Sequence, residues 1–215
     1  MRDYISSLVR QTINEFLKNE DQQLHIIISI TNDKCDIQEI SRHIEALSYQ
    51  YRITLLLSKK YEELETLRNI AEVMYMDHLD ESEVDKISKK IDLVYFPAIS
   101  RDFLARLSLL LDDSLPVWFV LEMIAKGKEV LLGTDYIRKS DYLPLWGPSY
   151  IERTIDYYMK ELKQNGVHFS SMEQATLKVQ EIFQELPNKK PILLAMQVEE
   201  AVKVAEESLT TIETA

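Results

Sequence analysis

The sequence predicts an α/β protein with a three-layer α/β/α architecture, in which a doubly wound parallel sheet of Rossmann-like or flavodoxin-like type lies between two layers of helices. The apolar runs are short and rich in β-branched residues, and most are followed by a segment with helical spacing. The 215 residues, 46% of them apolar, suffice for one sizeable core. Parallel strands need crossover connections and helices supply them, so the alternation predicts a parallel sheet.

The first strand and the first helix after it have the clearest signatures. Residues 24–30 contain consecutive isoleucines, which is typical of a strand buried on both faces. Asp36 can cap a helix that runs to about residue 49. The predicted buried stripe of this helix consists of Ile37, Ile40, Ile44 and Leu47.

The remaining elements continue the alternation. Further strands are predicted at residues 52–57, 91–96, 128–132, 166–169 and 191–195. Further helices are predicted at residues 61–76, 103–111, 115–126, 150–164, 172–186 and 198–212. Pro97 ends the strand before it, and Gly166 ends a helix and opens a short strand.

The amino-terminal segment is predicted to be separate from this domain. Residues 4–18 have helical spacing of apolar side chains, and a polar stretch at 18–23 follows as a linker. The apolar stripe is formed by Ile5, Leu8, Val9, Ile13, Phe16 and Leu17. We therefore expect an amphipathic helix within residues 1–20 and an α/β domain over residues 24–215.

Composition and charge exclude several classes of protein. The net charge of -11 and the lack of a basic patch disfavour nucleic-acid binding. The single cysteine, Cys35, fits a reducing cytoplasm and provides no metal-ligand cluster. No apolar run is long enough for a membrane span or typical of a secretory signal. Because the first glycine is Gly127, neither a GxGxxG loop nor a GxxxxGK[ST] loop can follow the first strand.

Polar residues follow the predicted strands at the edge where open parallel sheets bind ligands. Thr31 and Asn32 follow the first strand, Ser58 and Lys59 the second, and Ser100 stands before a helix after the third. A helix amino terminus with free amides suits an anion such as phosphate. The alternative is that these residues are ordinary caps and turn residues.

Residues 91–107, IDLVYFPAISRDFLARL, resemble the D-L-V-x-x-P-A-x-T-R-N-T-L-A-K-I region of the flavoprotein superfamily that includes phosphopantothenoylcysteine decarboxylase and related cysteine decarboxylases. The similarity continues through residues 112–115 and 121–132. This resemblance implies FMN bound at a subunit boundary of a homo-oligomer, usually a trimer. The residues that it implies for FMN are Ser58, Pro97, Ala98, Ser100, Arg101, Asp102, Asp113 and Ser114. The position at strand ends adds Thr31, Asn32 and Lys59 as candidate FMN-binding residues.

The sequence departs from the family pattern at three points. The first loop has no glycine, Asp102 stands where asparagine is usual, and the nearest histidine before the third strand, His78, is too distant to match the catalytic one. A phosphate near Asp102 would be repelled unless Arg101 or Lys59 compensates. Catalytic residues are therefore not predicted. A flavin-dependent oxidoreductase, a degenerate decarboxylase-like protein and a non-catalytic binding or assembly module stay open.

The amphipathic segment also resembles the short tags that direct enzymes into bacterial microcompartments. This resemblance implies a shell protein as partner and a role in ethanolamine- or propanediol-type metabolism. The alternatives are that the stripe packs on its own domain or at an oligomer interface.

Histidines and aromatic residues elsewhere are expected to be structural. His25 is expected to be a core or edge histidine of the first strand, and His43 to form a surface ion pair with Glu39. The aromatic segment 142–150 is expected to be covered, most plainly by oligomer packing.

Overall fold

The computed structural model describes residues 24–32, 34–137 and 150–185. The strands are β1 His25–Ser29, β2 Arg52–Leu57, β3 Glu72–Tyr75, β4 Leu93–Phe96, β5 Glu129–Gly133 and β6 Val167–Ser170. The helices are α1 Ile37–Ser48, α2 Glu81–Lys90, α3 Arg101–Ser108, α4 Leu115–Ala125, α5 Tyr150–Gln164 and α6 Met172–Glu185. Two 3-10 helices, Lys59–Asn69 and Met76–His78, lie on either side of β3.

The six described strands form one parallel sheet in the order β3-β2-β1-β4-β5-β6. This order confirms the predicted doubly wound fold, and it reverses direction between β1 and β4. Ile26 pairs with Leu93 across this central junction. In such sheets a crevice opens beyond the carboxyl ends of the two strands at the reversal.

Helices cover both faces of the sheet. One core cluster packs α1, the 3-10 helix Lys59–Asn69 and α6 against the first face, and the other packs α2, α3, α4 and α5 against the second. The isoleucines of β1 alternate between the two clusters, because Ile26 and Ile28 lie in the first and Ile27 in the second. Burial on both faces explains the continuous isoleucine run.

Most predicted elements are present with nearly the predicted bounds. Asp36 caps α1 as expected, since its Oδ1 accepts from the amides of Gln38 and Glu39 at 2.9 and 3.1 Å. The strand 52–57 and the helix 150–164 have their predicted limits.

The predicted helix 61–76 is wrong. The segment holds the 3-10 helix Lys59–Asn69 and then β3, and the sequence analysis also missed α2. The buried residues Leu64 and Leu67 are spaced by three, which matches the three residues per turn of a 3-10 helix, and Tyr61 lies at a kink with non-helical backbone angles. β3 is an edge strand without fully buried residues, so its apolar pattern is weak.

Several predicted segments lie outside the described residues. These are the amphipathic helix 4–18, the strand 191–195, the helix 198–212 and the aromatic segment up to residue 149. In the part of the chain that the structure describes, every helix is too short or too polar to cross a membrane.

Candidate functional site

The loops after β1 and β4 are joined at the point where the strand order reverses. The amide of Thr31 donates to the carbonyl of Ala98, with N and O 3.1 Å apart. The Asn32 side chain donates through Nδ2 to the carbonyl of Ile99 at 3.2 Å and accepts from the amide of Lys34 at 3.0 Å. These bonds hold Thr31, Asn32 and the backbone at Ala98 together at the carboxyl edge of the sheet. Thr31 and Asn32 were predicted to lie at this edge because they follow the first strand.

The end of β5 approaches the β4 loop so closely that only glycine fits there. A Cβ atom on Gly133 would lie 1.9 Å from the carbonyl oxygen of Pro97. Pro97 and Ala98 are buried in this contact. Gly133 was not among the predicted site residues, although a glycine at the end of a buried strand is a signal of close backbone approach.

Ser58 stands at the carboxyl end of β2, beside the β1 loop. Its Oγ is buried and has no hydrogen-bond partner among the described residues. It occupies the cap position of the 3-10 helix but makes no capping bond with its side chain. Lys59 begins that helix directly after it. A buried hydroxyl without a partner costs about 1–3 kcal/mol, so a group that accepts its hydrogen bond would stabilise the protein here.

The β4 loop leads into α3 through two predicted site residues. The Oγ of Ser100 caps α3 by accepting from the amide of Phe103 at 3.1 Å. The Nε of Arg101 donates to the carbonyl of Ile137 at 2.8 Å. This bond ties Arg101 to the segment after β5 and keeps a positive charge near the carboxyl edge.

Asp102 and Asp113 lie together on the exposed side of α3, joined by Arg106. Arg106 bonds Asp102 at 2.8 Å and Asp113 at 2.6 Å. The hydrogen bond from Arg106 holds the pKa of the Asp113 carboxyl below its usual value. Arg106 therefore compensates the charge of Asp102, a role that the sequence analysis assigned to Arg101 or Lys59. Ser114 stands next to this group as the cap residue of α4, without a capping bond from its side chain.

A buried polar pair, Tyr95 with His43, lies between the sheet and α1 and was not predicted from the sequence. The hydroxyl of the fully buried Tyr95 lies 3.2 Å from Nε2 of His43, with the two rings edge to face. Burial lowers the pKa of His43, so its imidazole is neutral at pH 7, and burial raises the pKa of Tyr95. The expected pair of His43 with Glu39 is wrong, because Glu39 accepts from the Tyr136 hydroxyl at 3.3 Å.

The site can bind an anion through side chains more readily than through the backbone amides at the amino terminus of α1. The Asp36 carboxylate occupies the first amides of α1, and Tyr136 accepts from the Asp36 amide at 3.0 Å. The Ser58 hydroxyl is a buried side-chain donor without a partner among the described residues, next to the loop after β1. Within the described ranges, no group of three or more histidine, cysteine or acidic residues is placed to hold a metal ion.

Solved structures of FMN-dependent flavoproteins have a similar fold. DmrB of Burkholderia xenovorans, solved in apo form and described as a cubic protein cage for redox transfer, has a TM-score of 0.58 and 13% identity, with 76% of this chain and 97% of that chain covered. AnUbiX (PadA1), solved with FMN and dimethylallyl pyrophosphate, has a TM-score of 0.55 and 16% identity over 75% of this chain and 93% of that chain.

A third solved structure is TvaF, an FMN-dependent cysteine decarboxylase from thioviridamide biosynthesis. Its TM-score is 0.52 and its identity 14%, with 73% of this chain and 95% of that chain covered. No protein-family model and no curated protein sequence matches the chain. At these identities the similarity establishes a shared fold.

Proposed function

We propose that this chain is an FMN-binding flavoprotein whose cofactor site is the carboxyl edge at the β1, β2 and β4 loops. The observation that carries the proposal is the buried Ser58 hydroxyl, which has no partner among the described residues. It stands where the flavoprotein family has a serine or threonine that contacts FMN. DmrB and AnUbiX, which share the fold, have been solved with FMN.

The residues present fit a phosphate and a planar ring. Ser58 would donate to a phosphate oxygen, and Lys59 and Arg101 would supply positive charge. Thr31, Asn32, Pro97, Ala98 and Ser100 would line the crevice, while Asp102, Asp113 and Ser114 form the neighbouring group on α3 and α4. When bound, FMN would supply electron or hydride transfer, and the protein would position it and limit access of water.

Ser58→Ala tests the site because it is expected to raise the free energy of unfolding and to lower the affinity for FMN. Removing an unpaired buried hydroxyl is expected to raise the free energy of unfolding without ligand by about 1 kcal/mol. The same change is expected to weaken FMN binding about tenfold, because a hydrogen bond to a charged phosphate is lost. Urea unfolding and flavin fluorescence quenching measure the two quantities.

Ser88→Ala serves as the matched control. The Ser88 hydroxyl donates to the Asp85 carbonyl within α2, so its removal should leave FMN affinity unchanged and should not raise the free energy of unfolding. FMN affinity equal in wild type and Ser58→Ala would contradict the assignment of Ser58. FMN binding that is undetectable by absorbance in the folded wild-type protein would contradict the cofactor proposal itself.

A non-catalytic binding or assembly module on the same scaffold is the second candidate. The hydrogen bonds from the first loop to the β4 loop and the capping of α1 by Asp36 favour it, because they use backbone groups that could otherwise bind phosphate. A redox titration of the FMN complex separates the candidates. A flavin that is reduced and reoxidised by a cellular electron carrier supports the oxidoreductase.

We also propose that the protein is a homo-oligomer, in line with the cage described for DmrB.

A role in an ethanolamine- or propanediol-type microcompartment rests on the amphipathic pattern of residues 4–18. Removal of residues 1–20 should abolish co-purification with shell proteins. A truncated chain that still co-purifies with shells would rule out the tag.

A further inference from the structure

A cavity of about 390 Å³ lies between the end of α1 and the end of the longer 3-10 helix. Its lining includes Glu45, Ser48 and Tyr49 from the first element and Asn69 from the second. These two elements lead into β2 and β3, which are parallel, so the cavity lies at the edge where the strands begin. We call it the amino-edge pocket. The sheet separates it from the loops after β1, β2 and β4, which lie at the carboxyl edge.

The end of α1 gives the amino-edge pocket a negative potential. The last carbonyl groups of a helix carry a partial negative charge. The last turn of α1 contains no basic residue that would offset this charge. Glu45 adds a full negative charge one turn earlier, and its exposed carboxylate forms no hydrogen bond or ion pair in the part of the chain that the structure describes.

Arg68 and Arg52, the basic residues at the ends of the adjoining elements, are held in other contacts. Arg68 donates to the hydroxyl of Tyr75 at 3.3 Å. Arg52 opens β2 and lies 3.6 Å from Glu72. Because its neighbour Ile53 packs on the α1 face, Arg52 points to the opposite face of the sheet. Among the described residues that line the pocket none is basic, so its negative charge is available to a ligand.

Tyr49 adds an aromatic ring to this negative lining. Its side chain is 81% exposed, so the ring can meet a ligand without rearrangement of the core. The face of an aromatic ring attracts a cation through its quadrupole. A carboxylate, a helix carboxyl terminus and an aromatic ring together suit a cation that also has an apolar part.

The same lining is unsuited to a metal ion. Calcium takes about six to eight oxygen ligands, several of them carboxylates, whereas the described lining offers the carboxylate of Glu45 alone. The pocket volume falls instead within the range of sites for small organic molecules, about 300–1,000 Å³. The net charge of -11 also favours a cationic ligand over an anionic one.

We propose that the amino-edge pocket binds a small alkylammonium compound. The ammonium group lies between the Glu45 carboxylate and the Tyr49 ring, and the Asn69 side chain offers a further hydrogen-bond acceptor. The pocket is open and has one full charge, so we expect a dissociation constant of about 1 mM. This proposal does not depend on flavin binding, because the pocket lies at the opposite edge of the sheet.

Titration of the full chain with n-butylammonium chloride at low salt, followed by protein NMR, tests the proposal. Glu45→Gln is expected to weaken binding about fivefold, because the ion pair is lost. Tyr49→Leu should weaken it about threefold, whereas Tyr49→Phe keeps the ring and should bind like wild type. Glu81→Gln is the matched control, because it removes one exposed carboxylate from α2 on the other face and should leave binding unchanged.

Two further titrations test the class of ligand. 1-Butanol has the same alkyl chain without the charge and should not bind. The peptide acetyl-Gly-Lys-Gly-amide carries its ammonium group on a longer chain and should bind more weakly than n-butylammonium. The proposal is overturned by wild-type protein that shows no saturable binding of n-butylammonium up to about 20 mM, or by equal affinity of wild type and Glu45→Gln. Binding of 1-butanol as tight as that of n-butylammonium would also overturn it. Tighter binding of the peptide would replace the free amine by a lysine side chain of a partner protein.

Discussion

Replacing Gly133 by alanine is expected to lower the free energy of unfolding by about 3 kcal/mol or more. The added Cβ would lie 1.9 Å from the Pro97 carbonyl oxygen, and both sides of the clash belong to the backbone. Relief would require β4 and β5 to separate next to the pair of Phe96 with Leu132. Urea unfolding followed by circular dichroism measures the loss.

Gly127→Ala and Gly166→Ala provide the controls. Both glycines have positive φ, 70° and 84°, but a Cβ at either position meets nothing within 4 Å. Each substitution should cost only about 1 kcal/mol through backbone strain. If Gly133→Ala costs no more than these two, the close approach of β5 to the β4 loop is not a constraint on stability.

Lowering the pH from 6.5 to 4 is expected to reduce the free energy of unfolding through His25. Burial, followed by the charge of Arg52, lowers the pKa of His25 from 6.5 to about 4. The unfolded chain therefore binds a proton on His25 below pH 6.5 while the folded chain does not. Stability from the neutral imidazole is present above pH 6.5 and lost as the pH falls to 4, by up to about 3 kcal/mol.

The double variant His25→Val, Thr54→Val isolates this contribution. The His25 Nε2 lies 2.8 Å from the Thr54 hydroxyl, so changing both residues removes the two members of this buried pair together. The difference in unfolding free energy between wild type and this variant, measured at pH 7 and pH 4.5, should change by about 2 kcal/mol. A difference that is constant with pH would show that His25 titrates normally in the folded chain.

The fold could be predicted where local signals agree with the tertiary environment. The isoleucines of β1 and the Asp36 cap of α1 each carry their own physical reason, and both elements are present. The prediction for residues 59–90 failed. A spacing of three residues and a half-buried edge strand match neither the 3.6-residue period of an α-helix nor the two-residue period of a strand.

The position of the candidate residues at the carboxyl edge of the sheet could be predicted, but their contacts could not. Ser58 and Ser100 follow from the rule that ligands bind at strand carboxyl ends. The pairing of Tyr95 with His43 joins residues 52 positions apart, so no local pattern indicates it. The pairing of Tyr95 with His43 is therefore decided by packing. The pairing of Asp102 with Arg106, four positions apart on α3, is a local helical signal that was not used in the prediction.

The central junction of the sheet also bears on how the chain folds. The partners across β1 and β4, and the loop contacts of Thr31 with Ala98 and Asn32 with Ile99, are 67 positions apart in sequence. Pairings of such long range form slowly, because the intervening loop must first be closed. The loop arrangement at the candidate site therefore forms only once the intervening α1–β2–β3–α2 region is in place. A ligand held there would stabilise the chain as a cooperative unit, and its binding would report the completion of folding.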